Sequence, residues 1–310
     1  MTEAMRSLCV ELAHALRDEV RPELGSHAAK AHAGSAEGGD VTFAIDERAE
    51  TRMEAFLAER APEVAFYSED RGMVHPSGGD AEWVLIVDPI DGTRPAAAGL
   101  ESCCVSIAAA RMDGEPAMGD VEIGCILELG ESGALFCAER GGGLDPAPVL
   151  SPTTTLERMF WTYGLRGRPT RALMEVLAEI VDASSVGGAS FDLGSATFDM
   201  TRVVTGQLDA YIEPGPRIVD DVPGMRAEFE RIGGGSVLNN SPYDLAAAVL
   251  CLEEGGAIVT DAYGRSVADR PLLGSSHEFQ ISCIAASNAE LHTEICRAVD
   301  AGIERLASTV

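Results

Sequence analysis

Two aspartates, Asp88 and Asp91, close an apolar run in the stretch VLIVDPIDGTRPAAAG, residues 84–99. Glu69 and Asp70 stand in the same way at the end of VAFYSED, residues 64–70. Carboxylates gathered where buried strands end are costly unless a cation pairs with them. Hard cations such as Mg²⁺ take carboxylate and carbonyl oxygens and keep several waters. DPID suits that chemistry. Pro89 restricts the backbone, and the carbonyl of Ile90 can point the same way as the two carboxylates. Gly92 permits a sharp turn, and Thr93 brings a hydroxyl beside the ion. Taken alone, DPIDGT also reads as an Asp-rich turn after a strand.

The elements that must position these residues follow from hydrophobic period and from Gly and Pro punctuation. Leu8, Leu12, Ala15, Leu16 and Val20 mark one face of a helix over residues 3–20. A loop rich in Gly, Ala and Ser follows, and DERAETRMEAFLAERAP reads as a helix ended by Pro62. Strands are expected at VAFYSE, EWVLIVDPI, CCVSIAAAR, DVEIGCILEL and GALFCAER. After about Leu150, strands and helices alternate. PTRALMEVLAEIVDA, GSATFDMTRVVTG, SPYDLAAAVLCLEEGG and a last segment from Asn288 are helical; LDAYIE, AIVTDAYG and ISCIAAS are extended. The fold class expected is α+β followed by α/β, with lobes at 1–150 and 151–310.

Composition narrows the partners. The 310 residues are 46% hydrophobic, enough for a full core, and carry a net charge of −27. That charge argues against nucleic acid or anionic lipid as a partner. An anionic substrate would need local cations to reverse the potential at its site. No apolar run reaches the roughly 20 residues of a membrane span, and the N-terminal segment lacks the apolar centre of a signal peptide. A cytoplasmic protein is expected. The eight cysteines form no C-x-x-C pair and read as reduced, mostly buried small hydrophobes.

The motifs taken together resemble the inositol monophosphatase superfamily of metal-dependent, lithium-sensitive phosphatases. That superfamily includes fructose-1,6-bisphosphatases, histidinol-phosphate phosphatases and bisphosphate nucleotidases. WVLIVDPIDGT resembles its signature, and DVTFAID, Asp40 to Asp46, resembles its upstream D-x-x-T-x-x-D element. SED stands where the family has G-E-E, with Glu69 at the metal-binding glutamate. Gly194, Ser195 and Ala196 match a helix start, and GQLDAYIE, ending at Glu213, matches a G-x-x-D-A-Y-x-E strand. YDLAAAVLCLEEGGAIVTDAYG resembles the W-D-x-A-A…E-A-G-G block.

The resemblance implies a layered α/β/α/β/α sandwich with two lobes and a homodimer. It also implies two or three Mg²⁺ ions and hydrolysis of a small phosphorylated substrate by metal-activated water. Carried over residue by residue, Glu69, Asp88 and the Ile90 carbonyl would hold one ion, and Asp88, Asp91 and Asp244 another. Asp46 and Thr93 would orient and deprotonate the water, with Glu69 in support. Gly92, Thr93, Arg94, Gly194, Ser195, Ala196 and Glu213 would contact the substrate, Glu213 through its hydroxyls. Asp40 reads as structural and Asp70 as an outer group or a solvated strand end.

Two departures bear on specificity. TRPAAAG stands where the family usually has T-x-N-[FY], so Pro95 replaces a side-chain amide and removes a backbone donor. An insertion at about 215–243 separates Glu213 from the last metal aspartate. Asp220 keeps the spacing from Glu213, whereas Asp244 keeps the spacing to Glu254 and opens the apolar helix; Asp244 is the choice. The insertion is expected to form a substrate-selecting lid, with Arg217, Arg226 and Arg231 as candidates to touch a sugar or a second phosphate. Inositol monophosphate is the default substrate. Fructose bisphosphate, histidinol phosphate and a specialised-metabolite sugar phosphate remain open, as does a metal-binding homologue without turnover.

Overall fold

The computed structural model describes residues 2–26, 28–36, 39 and 41–309. Asp40, read above as structural, lies outside the described residues. In chain order, α1 (Thr2–Val20) leads to a short ribbon, β1 (His32–Ser35) and β2 (Val41–Phe43), and then to α2 (Ala44–Arg60). β3 (Ala65–Ser68), β4 (Gly72–Val74) and β5 (Trp83–Asp91) follow, then α3 (Thr93–Ala98). β6 (Cys104–Arg111), β7 (Val121–Glu128), β8 (Leu135–Glu139) and β9 (Gly143–Asp145) complete a seven-stranded sheet ordered β4-β3-β5-β6-β7-β8-β9. Only β3 and β5 run parallel in it.

The second sheet has five strands in the order β11-β10-β12-β14-β13. It is built from β10 (Phe160–Thr162), β11 (Ala189–Phe191), β12 (Ala210–Glu213), β13 (Ile258–Thr260) and β14 (Cys283–Ala286). Interleaved with these strands are α4 (Thr170–Ser184), α5 (Ala196–Val204), α6 (Gly215–Asp221), α7 (Met225–Ile232) and α8 (Pro242–Glu254), and α9 (Ala289–Thr309) closes the chain.

Side-chain alternation along β5 explains the layering. All of its residues are buried, and successive side chains face opposite sides of the sheet. Leu85 and Val87 pack with Leu12, Leu16, Met53 and Leu57 of α1 and α2. Val84 and Ile86 pack with Met200 of α5 and Leu245 and Val249 of α8, and that same core reaches Tyr211 and Ala285 of the second sheet. The far side of the second sheet is covered by α4 and α9 through Leu173, Val176, Ile295 and Val299. The result is the α/β/α/β/α sandwich that the resemblance implied. The helix between the sheets comes very close to the first one: a Cβ on Gly124 of β7 would lie 2.7 Å from the Ala247 carbonyl of α8. Glycine there, against Ala246–Ala248, lets α8 seat its N-terminus beside the end of β5.

The insertion is structured. Its proline and glycine residues bracket two short helices, α6 and α7, which Ile218, Val222 and Phe229 anchor in the outer core. No helix among the described residues is long and apolar enough to cross a membrane.

Glu50 of α2 is a buried acid with a measurable consequence. It accepts hydrogen bonds from the Ser68 hydroxyl (2.9 Å) and the Asp70 amide (3.4 Å), tying α2 to the strand end that carries Glu69. Burial, reinforced by the Asp70 charge, pushes its pKa up from 4.5 to about 7. The folded state therefore binds a proton that the unfolded state has released, and this group costs stability progressively from pH 4.5 to 7. Glu50→Gln should remove that slope, leaving the variant about 2 kcal/mol more stable relative to wild type at pH 8 than at pH 4.5. Urea unfolding at the two pH values in chelator measures it; an unchanged difference would refute the assignment.

Candidate metal centre and substrate cleft

The end of β5 is irregular, and the irregularity makes the site. Asp88 pairs with Ser106 of β6 and Asp91 with Cys104, so three residues on β5 span two on its neighbour. In a plain strand, residues three apart face opposite sides. The bulge restores the parity and brings Asp91 to the side of Asp88. Gly92 then turns the chain with φ +89°, where a Cβ would meet the Ser102 carbonyl at 2.6 Å and Ser195 Cβ at 2.9 Å. Only glycine fits that combination of backbone and space.

Asp244 joins from α8. One oxygen from each of Asp88, Asp91 and Asp244 lies within 4.8 Å of the others. Each carboxylate is held by protein donors on a single oxygen. Asp88 Oδ1 accepts the Ile90 amide (3.0 Å), and Asp244 Oδ2 accepts the Ser241 amide (2.6 Å). Asp91 Oδ2 accepts both the Ser195 hydroxyl (2.9 Å) and the Thr197 amide (2.6 Å) at the start of α5. The Thr197 hydroxyl in turn donates to the Asp244 carbonyl (2.7 Å), so the starts of α5 and α8 are fastened to each other and to β5.

This crowding of acids has an electrostatic price. Burial, then repulsion from Asp91, Glu69, Asp244 and Asp46, pushes the Asp88 carboxyl well above its usual range. Burial and the Asp91 charge push Asp244 up to about 7. Asp91 is raised by burial too, offset by its Thr197 and Ser195 donors. Buried, mutually repelling hard oxygens of this kind fit a divalent cation.

Beside them, the Thr93 hydroxyl lies 2.9 Å from Asp46 Oδ1 and 3.2 Å from the Ile90 carbonyl, both acceptors of its proton. The other oxygen of Asp46 takes the Phe43 amide (2.8 Å), which fastens the start of α2. Asp46 thus has both a structural and a cleft-facing bond. Glu69, Ile90, Gly92, Thr93, Arg94 and Gly194 border the same cleft. Asp70 accepts the Thr42 hydroxyl (2.6 Å). Ser195 and Ala196 line a smaller recess beside Asp91. Arg94 also lies over the Phe43 ring, 5.4 Å from its centroid.

Other residues lie elsewhere than the resemblance suggested. Glu213 does not border the cleft: it is fully buried, ion-paired with Arg168, and its Oε1 accepts the Gly215 amide (2.7 Å). Arg168 also donates to the Asn240 side chain (3.2 Å) and the Arg166 carbonyl (2.8 Å), so the pair is a structural lock. A buried carboxylate needs such a partner, and breaking the pair costs about 3–5 kcal/mol. Asp220 is apart from the three clustered aspartates, bordering a separate cavity with Arg270 and His277. The insertion's arginines face acids instead of the cleft: Arg217 meets Asp221 and Asp300, Arg226 meets Glu230, and Arg231 meets Glu228. What the insertion presents to the cleft is Leu238, Asn239, Ser241 and, at its end, Tyr243.

Arg166 escaped the sequence reading. It borders both the cleft and the recess, and its charge favours ionised Asp91 and Asp244. Its setting in the glycine-flanked GLRGR loop was the available signal.

The family model for the inositol monophosphatase family matches residues 1–304. The chain belongs to the inositol monophosphatase family. Its activity class is that of a phosphoric monoester hydrolase. An inositol-1-monophosphatase of Mesorhizobium japonicum is 28% identical over 233 residues, 73% of this chain and 74% of that protein. A fructose-1,6-bisphosphatase/inositol-1-monophosphatase of Methanothermobacter thermautotrophicus is 25% identical over 306 residues, 95% and 96% of the two chains. Among solved structures, the extragenic suppressor protein suhB of Bartonella henselae superposes with a TM-score of 0.71 at 22% identity, covering 96% of this chain and 98% of that one. At such identity the last comparison speaks for the fold of this family member alone.

Proposed function

We propose that the protein is a Mg²⁺-dependent phosphomonoesterase acting on a small polyol, sugar or cyclitol phosphate. The observation that carries this reading is the convergence of Asp88, Asp91 and Asp244 from two distant segments, each fastened through one oxygen. These three, with Glu69 and the Ile90 carbonyl, would hold the two or three ions implied by the family pattern. Bound Mg²⁺ would supply positive charge against the phosphate and make a water acidic enough to attack it.

The chain's own residues do the rest. Thr93 donates a hydrogen bond to Asp46, so its lone pairs face the attacking water and that water's proton can pass through the hydroxyl to Asp46. Asp46 stays oriented for this through the Phe43 amide, and Glu69, which borders the same cleft, would support the same water as the family pattern implies. Arg94 and Arg166 border the cleft and reverse, locally, the repulsion that a strongly acidic protein exerts on an anion.

The test is phosphate release from a panel of inositol, sugar and alditol phosphates, with Mg²⁺ and with chelator. Turnover of at least one ester, abolished by chelator, is expected. No turnover across the panel would favour a ligand-binding homologue.

A further inference from the structure

Asn239 and Gln280 border the cleft and also a second cavity of about 290 Å³ that Asp220, Arg270 and His277 help to line. The two amides are thus the shared boundary between the metal centre's cleft and this chamber. Most of their hydrogen-bond capacity is unspent. Gln280 is only 5% exposed; its Nε2 donates to the Val237 carbonyl (2.6 Å), but its buried Oε1 has no partner. Both side-chain polar atoms of Asn239 are buried without a partner. Arg270 Nε is in the same condition, although its Nη2 donates to the Glu278 and Gln280 carbonyls. Buried polar groups are rarely left unmatched, because each carries the full cost of desolvation. A group of them along one boundary marks where a ligand completes the pairing.

The kind of ligand follows from what is offered. Amides and Arg270 Nε–H supply donors and acceptors together, and a hydroxyl both gives and takes. A second phosphate only accepts and asks for cations. The insertion's three arginines are turned to acids instead, and the chamber's own cation, Arg270, is opposed there by the Asp220 charge and has its Nη2 committed to the Glu278 and Gln280 carbonyls. We propose that Asn239 and Gln280 form a leaving-group subsite holding the hydroxyls of a neutral polyol. Its phosphate sits at the Asp88–Asp91–Asp244 centre and its carbon frame reaches toward the second cavity. The proposal rests on the phosphatase reading above. It gives the insertion a selecting role through Asn239, with Glu213 withdrawn into its pair with Arg168.

The test compares kcat/KM for myo-inositol 1-phosphate, sorbitol 6-phosphate and glycerol 2-phosphate with that for phenyl phosphate, whose leaving group carries no further hydroxyl. Wild type should prefer at least one polyol ester by tenfold or more. Asn239→Leu, nearly isosteric and breaking no bond within the protein, should cut that preference about tenfold without lowering Tm. Gln280→Met should act in the same direction. If wild type hydrolyses phenyl phosphate with Mg²⁺ but prefers no polyol ester, or if both variants keep the preference within twofold, the subsite is wrong and the phosphatase reading stands. If wild type hydrolyses none of these esters, both fall together.

Discussion

Asp244→Asn should lower Mg²⁺-dependent phosphate release by about a thousandfold or more while making the metal-free protein more stable. The two effects have one cause. Asp244 is buried beside Asp88 and Asp91, and without a cation every charge that ionises among the three is buried and opposed by its neighbours, or is removed only by taking up a proton. Asparagine keeps the size and an oxygen to accept the Ser241 amide, and removes one charge. Chelator-treated variant should therefore unfold at higher urea concentration than chelator-treated wild type, by about 1–3 kcal/mol. Urea titration and phosphate release on the same preparations decide it. A variant that loses both activity and stability would make Asp244 a structural residue. Asp220→Asn, outside the cluster, should leave cation affinity within about twofold of wild type.

Thr93→Val should lower kcat by about 10²–10³-fold and leave cation affinity nearly unchanged. Valine matches threonine in shape but has no proton to give Asp46 and no lone pairs for water. Steady-state kinetics at saturating Mg²⁺, with cation binding measured separately, distinguishes this from loss of the metal centre. A kcat within fivefold of wild type would remove Thr93 from the proton path. A matched loss of cation affinity would reassign it to holding the Ile90 carbonyl, which lies 3.2 Å from its hydroxyl.

Different parts of this molecule were legible in the sequence for different reasons. The long strands of the first sheet declare themselves because they are buried on both faces and read as unbroken apolar runs. The acids at the end of β5 were visible through their chemistry, since four carboxylates at strand ends demand an explanation. Their spacing alone was ambiguous. Asp88 and Asp91 share a face only because β5 bulges between them, and that depends on the partner strand. The insertion read as a lid without assigned helices because Pro and Gly bracket them, while the core contacts of Ile218 and Phe229 that stabilise them are tertiary.

Glu213 shows the limit of carrying a role across by motif. GQLDAYIE keeps the residue, yet Arg168, 45 positions earlier in the chain, decides where its carboxylate points. Asn239 and Gln280 show the complementary limit. Neutral amides in loops have no periodicity and no charge pattern, and their interest lies in being buried and unmatched, which only the folded arrangement reveals. Arginines drew attention in the insertion that carries Asn239 because charge is conspicuous in sequence. Most of them lie in exposed ion pairs, whose contribution is small.

The most direct measurement is calorimetric titration of Mg²⁺ into chelator-stripped wild type and Asp244→Asn protein at the same pH. Saturable binding to wild type, weakened at least about tenfold in the variant, is the expected result. Equal affinities, or no binding to either protein, would contradict a cation centre at Asp88, Asp91 and Asp244.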